Sequence, residues 1–109
     1  MPPSHFTLPT NPELPTGDVR TIVERLSAFS GVRRIWLFGG RIKRPETIDF
    51  RSDLDVAVEG LQPGDHARAW ARLDADTSLP IDLVRWEEAP PLLRDQIRAT
   101  GILVYESVA

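Results

Sequence analysis

Between residues 19 and 29 the apolar side chains Val19, Ile22, Val23, Leu26 and Phe29 recur every three or four positions. That spacing places them on one side of an α-helix. Thr16-Gly17-Asp18 supplies its start, with Thr16 or Asp18 able to cap free amides, and Gly31 supplies its stop. From Arg33 the pattern changes. The run Ile35-Trp36-Leu37-Phe38 does not alternate, which suits a central strand covered on both faces, and Gly39-Gly40 breaks it. Asp53-Leu54-Asp55-Val56-Ala57-Val58-Glu59 does alternate, placing Asp53, Asp55 and Ala57 on one face of a second strand and Leu54, Val56 and Val58 on the other. Gly60 to Gly64 makes a turn, Asp65 is a fair N-cap, and Ala67, Trp70, Ala71 and Leu73 or Asp74 give a narrow helical stripe. A third strand runs from Leu79 to Trp86, with Pro80 tolerable only at its beginning or on an edge. Glu87-Glu88 and Pro90-Pro91 suit a first helical turn, continued by Leu92, Leu93, Gln96 and Ile97 to Gly101. Ile102 to Tyr105 is a last short strand. Strands and helices in this order predict an α/β (α+β) fold with helices packed on a small sheet.

Composition narrows this picture. At 109 residues the chain has room for one small core. Five of its ten prolines fall in residues 1–15, so this stretch reads as an extended arm without regular structure, and residues 16–109 as the folded domain. A loosely attached tail is the plain reading of the arm; as a partner-binding segment it would use Phe6 and Leu8 as anchors. The absence of cysteine excludes disulfide scaffolds and thiolate metal sites. No signal peptide or membrane-spanning run is visible, and together these point to a cytoplasmic protein. The net charge of −3 argues against direct nucleic-acid binding.

The chemistry concentrates around the second strand. At about 3.3 Å of rise per residue, Asp53 and Asp55 start roughly 6.6 Å apart on one face, close enough to share one or two hard cations. Unpaired there, they would repel each other and lose hydration, so a positive charge is expected between them. Asp82 sits inside an apolar strand. By itself it reads as a strand-start aspartate bonding a neighbouring amide; beside Asp53 and Asp55 it reads as a third metal-facing carboxylate. Gly39-Gly40 lets backbone amides approach a bound anion, although a plain turn needs the same freedom. The loop from Arg41 to Ser52 carries Arg41, Lys43, Arg44 and Arg51 against Glu46 and Asp49, a basic segment in an acidic protein. His5 and His66 read as surface residues.

Three carboxylates beside a glycine turn and a basic loop match the needs of phosphoryl or nucleotidyl transfer. Phe38-Gly39-Gly40-Arg41, followed by Ser52-Asp53-Leu54-Asp55-Val56 and by Asp82 on a later strand, resembles the minimal nucleotidyltransferase (MNT) antitoxins of the polymerase-beta superfamily. The resemblance runs from the first helix to Gly101-Ile102-Leu103-Val104-Tyr105. It implies the polymerase-beta-like fold, a small mixed sheet with helices packed on it. It implies that Asp53, Asp55 and Asp82 are catalytic and bind two Mg²⁺ ions, and that Gly39, Gly40 and Arg41 line the triphosphate of ATP. It further implies a HEPN-type RNase toxin as partner and transfer of AMP onto a toxin tyrosine. Two features depart from the family pattern. Gly40 stands where the family has serine, and Arg44 replaces a common glycine in a loop about two residues longer than usual.

Two other functions compete with AMP transfer onto a toxin. One is a fold that has lost transfer through Gly40 and neutralises its toxin by contact alone. The other is transfer onto a nucleic acid or small molecule, disfavoured by the acidic balance and by the lack of a second domain to hold such a substrate. Other origins of Asp-X-Asp fail on spacing. An EF-hand starting at Asp53 needs glycine and glutamate where Val58 and Gly64 stand, and no Walker-type Gly-Lys-Ser/Thr occurs.

Overall fold

The computed structural model describes residues 4–6, 16–39 and 53–107. In chain order they form β1 (Ser4–Phe6), α1 (Thr16–Ser27), β2 (Arg34–Phe38), β3 (Leu54–Glu59), α2 (His66–Asp76), β4 (Ile81–Arg85), α3 (Pro91–Thr100) and β5 (Ile102–Ser107), with single 3-10 turns before α2 and α3. The strands make one sheet in the order β1-β5-β2-β3-β4. All neighbours are antiparallel except β3 and β4, which run parallel. A parallel pair needs a crossover, and α2 supplies it.

β1 corrects one expectation. The arm was expected to lack regular structure, yet Ser4 to Phe6 pair with Ser107 to Tyr105. These residues fall between Pro3 and Pro9, where every amide can donate, and β5 otherwise presents an unpaired edge. The rest of residues 1–15, including Leu8, and the side chain of Phe6 lie outside the described residues.

The sheet is covered on both faces. On one, Val19, Ile22 and Leu26 of α1 and Leu73 of α2 pack against Leu37 and Val56. On the other, Trp86 and Ile97 pack against Phe38 and Ala57. The alternation read from β3 therefore holds: Leu54, Val56 and Val58 enter the first core, while Ala57 enters the second on the face that Asp55 shares. Each fully buried Leu, Ile or Val contributes roughly 1.5–3 kcal/mol.

Three helix assignments shift in detail. The buried line of α2 is Ala69 and Leu73 with half-buried His66 and Trp70; Ala67 and Ala71 are exposed. The line starts with a histidine, so counting apolar residues alone puts it in the wrong place. His66 is accordingly no surface residue: its Nε2 lies 2.8 Å from the Leu83 carbonyl oxygen and its ring stacks on Trp70. In α3, Ile97 is buried and Leu93 half-buried, whereas Leu92 is 71% exposed and Gln96 is exposed. Asp65 makes no capping bond and instead accepts from Arg68 Nη2 at 2.6 Å.

Candidate functional site

β2 and β3 are antiparallel, so the end of one lies beside the start of the other. Phe38, the last residue of β2, is the register partner of Asp55. β4 starts at the same end of the sheet, and Asp82 is the register partner of Asp55 on the other side. Directly paired residues on neighbouring strands share a face, so both carboxylates project together. Asp53 precedes β3 and is exposed, while Asp55 and Asp82 are half-buried.

The electrostatics follow from this placement. The Asp55 carboxyl is pushed up from 3.8 to about 6, first by burial, then by the charges of Asp82 and Asp53, with a side-chain hydrogen bond to Asp82 adding to the shift. A positive charge placed beside this carboxyl would favour its ionised form and lower that value.

Gly39 shapes the same corner. It has φ +86°, a conformation that costs other residues roughly 1–2 kcal/mol. A Cβ there would overlap Asp55 Oδ2 and come within 2.8 Å of Asp55 Cγ. The backbone thus passes against the Asp55 carboxylate because no side chain intervenes. Gly39→Ala is expected to cost about 1–2 kcal/mol from the backbone strain alone. It should also turn Asp55 away from Asp82. Thermal unfolding and Mn²⁺ titration check both effects, and unchanged Mn²⁺ binding would count against the crowding argument.

A cavity of about 130 Å³ adjoins Gly39, lined by Phe38, Leu93, Gln96, Ile97 and Thr100. Its α3 wall is held by an aromatic stack that single residues do not foretell. Trp36 and Trp86 stack at 4.4 Å, and the guanidinium groups of Arg98 and Arg94 lie 5.0 and 5.5 Å from the Trp86 ring. Arg94 Nε also donates to the Trp86 carbonyl at 3.0 Å. The legible signal was the spacing of Arg94 and Arg98, one turn apart on α3.

The donor set fits a hard cation. Its ligands are carboxylate oxygens, and Mg²⁺ takes one or two of these and completes its shell with phosphate and water. Among the described residues no group of three or more His, Cys, Asp or Glu is arranged to hold a metal by itself. Substrate oxygens would therefore have to supply the remaining ligands. Gly40, Arg41, Lys43, Arg44, Arg51 and Ser52 lie outside the described residues.

The sequence model for polymerase beta nucleotidyltransferases matches residues 20–108. The chain belongs to the polymerase beta nucleotidyltransferase family. A comparison with curated protein sequences finds no significant match. Among solved structures, this nucleotidyltransferase domain is similar to a toxin–antitoxin crystal structure with AMP-PNP, at 20% identity over 84% of this chain and 73% of that one, with a TM-score of 0.66. It is similar to the toxin–antitoxin MntA–HepT at 21% identity, covering 83% and 71% of the two chains with a TM-score of 0.64. A third structure holds a tri-AMPylated Shewanella oneidensis HEPN toxin with its MNT antitoxin, at 19% identity, 83% and 71% coverage and a TM-score of 0.64. At these identities the likeness shows the fold. Among the described residues no helix is long and apolar enough to cross a membrane.

Proposed function

We propose that this nucleotidyltransferase is the antitoxin of a HEPN toxin and transfers AMP from ATP onto a toxin tyrosine. The observation that carries the reading is the facing pair Asp55–Asp82 beside Gly39, in a chain whose family does nucleotidyl transfer. In this reaction a tyrosine oxygen bonds to the α-phosphorus while the bond to pyrophosphate breaks. Asp82 accepts the tyrosine proton, directly or by helping another base. Asp55 and Asp82, with Asp53, would hold Mg²⁺ together with phosphate oxygens, and its charge would offset that of the triphosphate. Gly39 and Gly40 offer backbone amides along the phosphates, and Arg41 adds a fixed positive donor. The AMP-PNP structure and the AMPylated HEPN toxin among the similar complexes support an adenine nucleotide as donor and a toxin as acceptor.

The test is incubation of the purified protein with ATP, Mg²⁺ and its partner toxin, followed by intact-mass analysis. The expected result is a gain of whole AMP units on the toxin, at tyrosine, lost with Asp55→Asn. A confirmed partner that is neutralised without any mass gain would overturn the transfer and leave neutralisation by binding.

A further inference from the structure

β4 is the edge strand beside β3, so the position of Asp82 depends on where the start of β4 is held. A slip of one residue along β3 would put Ile81 or Leu83 on the carboxylate face. A slip of two would carry Asp82 about 6.6 Å away. Several bonds tie the start of β4 to α2, the helix just before it: Asp74 Oδ1 accepts from the Ile81 amide at 3.0 Å, and Trp70 Nε1 donates to the Ile81 carbonyl at 2.7 Å. Those bonds join neighbours in the chain that move together. They leave open how α2 and β4 sit, as a unit, on the rest of the sheet.

The ladder with β3 supplies part of that link, and Asp18 adds to it from α1. Asp18 stands in the first turn of α1 and is only 7% exposed. Its Oδ1 accepts from the Ser78 amide at 2.9 Å, and its Oδ2 accepts from the Ser78 hydroxyl at 2.7 Å and the Leu79 amide at 3.0 Å. Its sequence position suits a helix cap, yet all three of these donors lie some 60 positions away and just before Asp82. α1 itself is anchored by Val19, Ile22 and Leu26, none of which is exposed. Pro80, between Leu79 and Ile81, accepts from the Leu54 amide at 2.9 Å, so the clamp extends directly to the start of β3. Among the described residues α1 also meets α2 through Arg25 and Asp76, but this pair is solvent-exposed and contributes little. Apolar packing between these helices is non-directional and tolerates sliding, whereas three hydrogen bonds to one carboxylate do not.

We propose that Asp18 is a positioning residue for Asp82: by holding Ser78 and Leu79 it sets how far β4 lies along β3, and so keeps Asp82 beside Asp55. The inference rests on the nucleotidyltransferase reading only for what Asp82 then does.

The test compares wild type with Asp18→Asn, Ser78→Ala and Ile22→Val, the last loosening α1 without touching Ser78. Asp18→Asn keeps the shape but lacks one acceptor oxygen. Hydrogen exchange is read at the Ile81 and Leu54 amides, and Mn²⁺ affinity by calorimetry. Asp18→Asn is expected to speed exchange at both amides by about tenfold or more, the order for unpairing one or two buried donors. It should weaken Mn²⁺ binding to a similar degree, with Ser78→Ala intermediate and Ile22→Val leaving both unchanged. Unchanged exchange in folded Asp18→Asn, or an equal effect from Ile22→Val, overturns the proposal. Faster exchange with wild-type Mn²⁺ affinity also overturns it, because Asp82 would then not have moved. Wild type that binds no Mn²⁺, or Mn²⁺ binding that survives Asp55→Asn, counts instead against the metal reading; the exchange data still decide the role of Asp18.

Discussion

Asp55→Asn is expected to lower AMP transfer at least about 10³-fold while making the protein more stable at neutral pH. Under the proposed transfer, the loss would follow from removing an oxygen that would hold the metal where charge develops on the phosphates. The gain follows from linkage. The folded-state value of Asp55 is raised to about 6 from 3.8, so between those pH values the folded protein binds more protons than the unfolded chain. Stability therefore falls as pH rises through that window, and the full penalty is present above it. After allowance for the half-exposed position of the group, the penalty is about 1–2 kcal/mol. Asn carries no charge and can donate to Asp82, so Asp55→Asn should melt higher than wild type at pH 7.5, and the gap should close below pH 4. Mg²⁺ should raise the melting temperature of wild type and not that of the variant. A variant that melts lower than wild type at pH 7.5 without divalent ions would refute the account.

Trp86→Ala should be the most destabilising single substitution on the α3 side of the sheet. Trp86 is 6% exposed and stacks on Trp36 at 4.4 Å. It also underlies Arg94 and Arg98. Truncating a buried tryptophan costs roughly 3–5 kcal/mol, and the loss of the stack and of both cation–π contacts places this site toward the upper part of that range. Against a total stability of about 5–15 kcal/mol this is a large fraction. Urea unfolding measures it. Trp86→Phe should recover part of the loss, since a smaller ring can still face Trp36. The consequence reaches the site, because α3 supplies Leu93 and Ile97 to the cavity next to Gly39. A loss below about 1 kcal/mol would show that α3 is held by Ile97 and Leu93 rather than by the stack.

Much of this protein was legible along the chain because its signals are local. The period of α1, the unbroken run of β2 and the alternation of β3 each follow from side-chain spacing within one element. Gly39 and Asp55 meet because β2 and β3, consecutive strands in the chain, pair antiparallel, so one stretch of sequence names most of the carboxylate corner. Asp82 was readable as an oddity, a carboxylate in an apolar strand, and it was grouped with Asp53 and Asp55 on chemistry and resemblance, not on any local pattern. That Asp82 faces Asp55 depends on parallel pairing across α2 and on a register that no local pattern states. The same holds for the residues that fix the register. Asp18 reads as a helix cap and His66 as surface, because sequence shows their neighbours in the chain and not Ser78 or Leu83. Elements and faces were thus set by short-range spacing; the meeting of Asp55 with Asp82, and the buried polar contacts that hold it, came only with the packed sheet, since bonds between residues 60 apart leave no periodic trace.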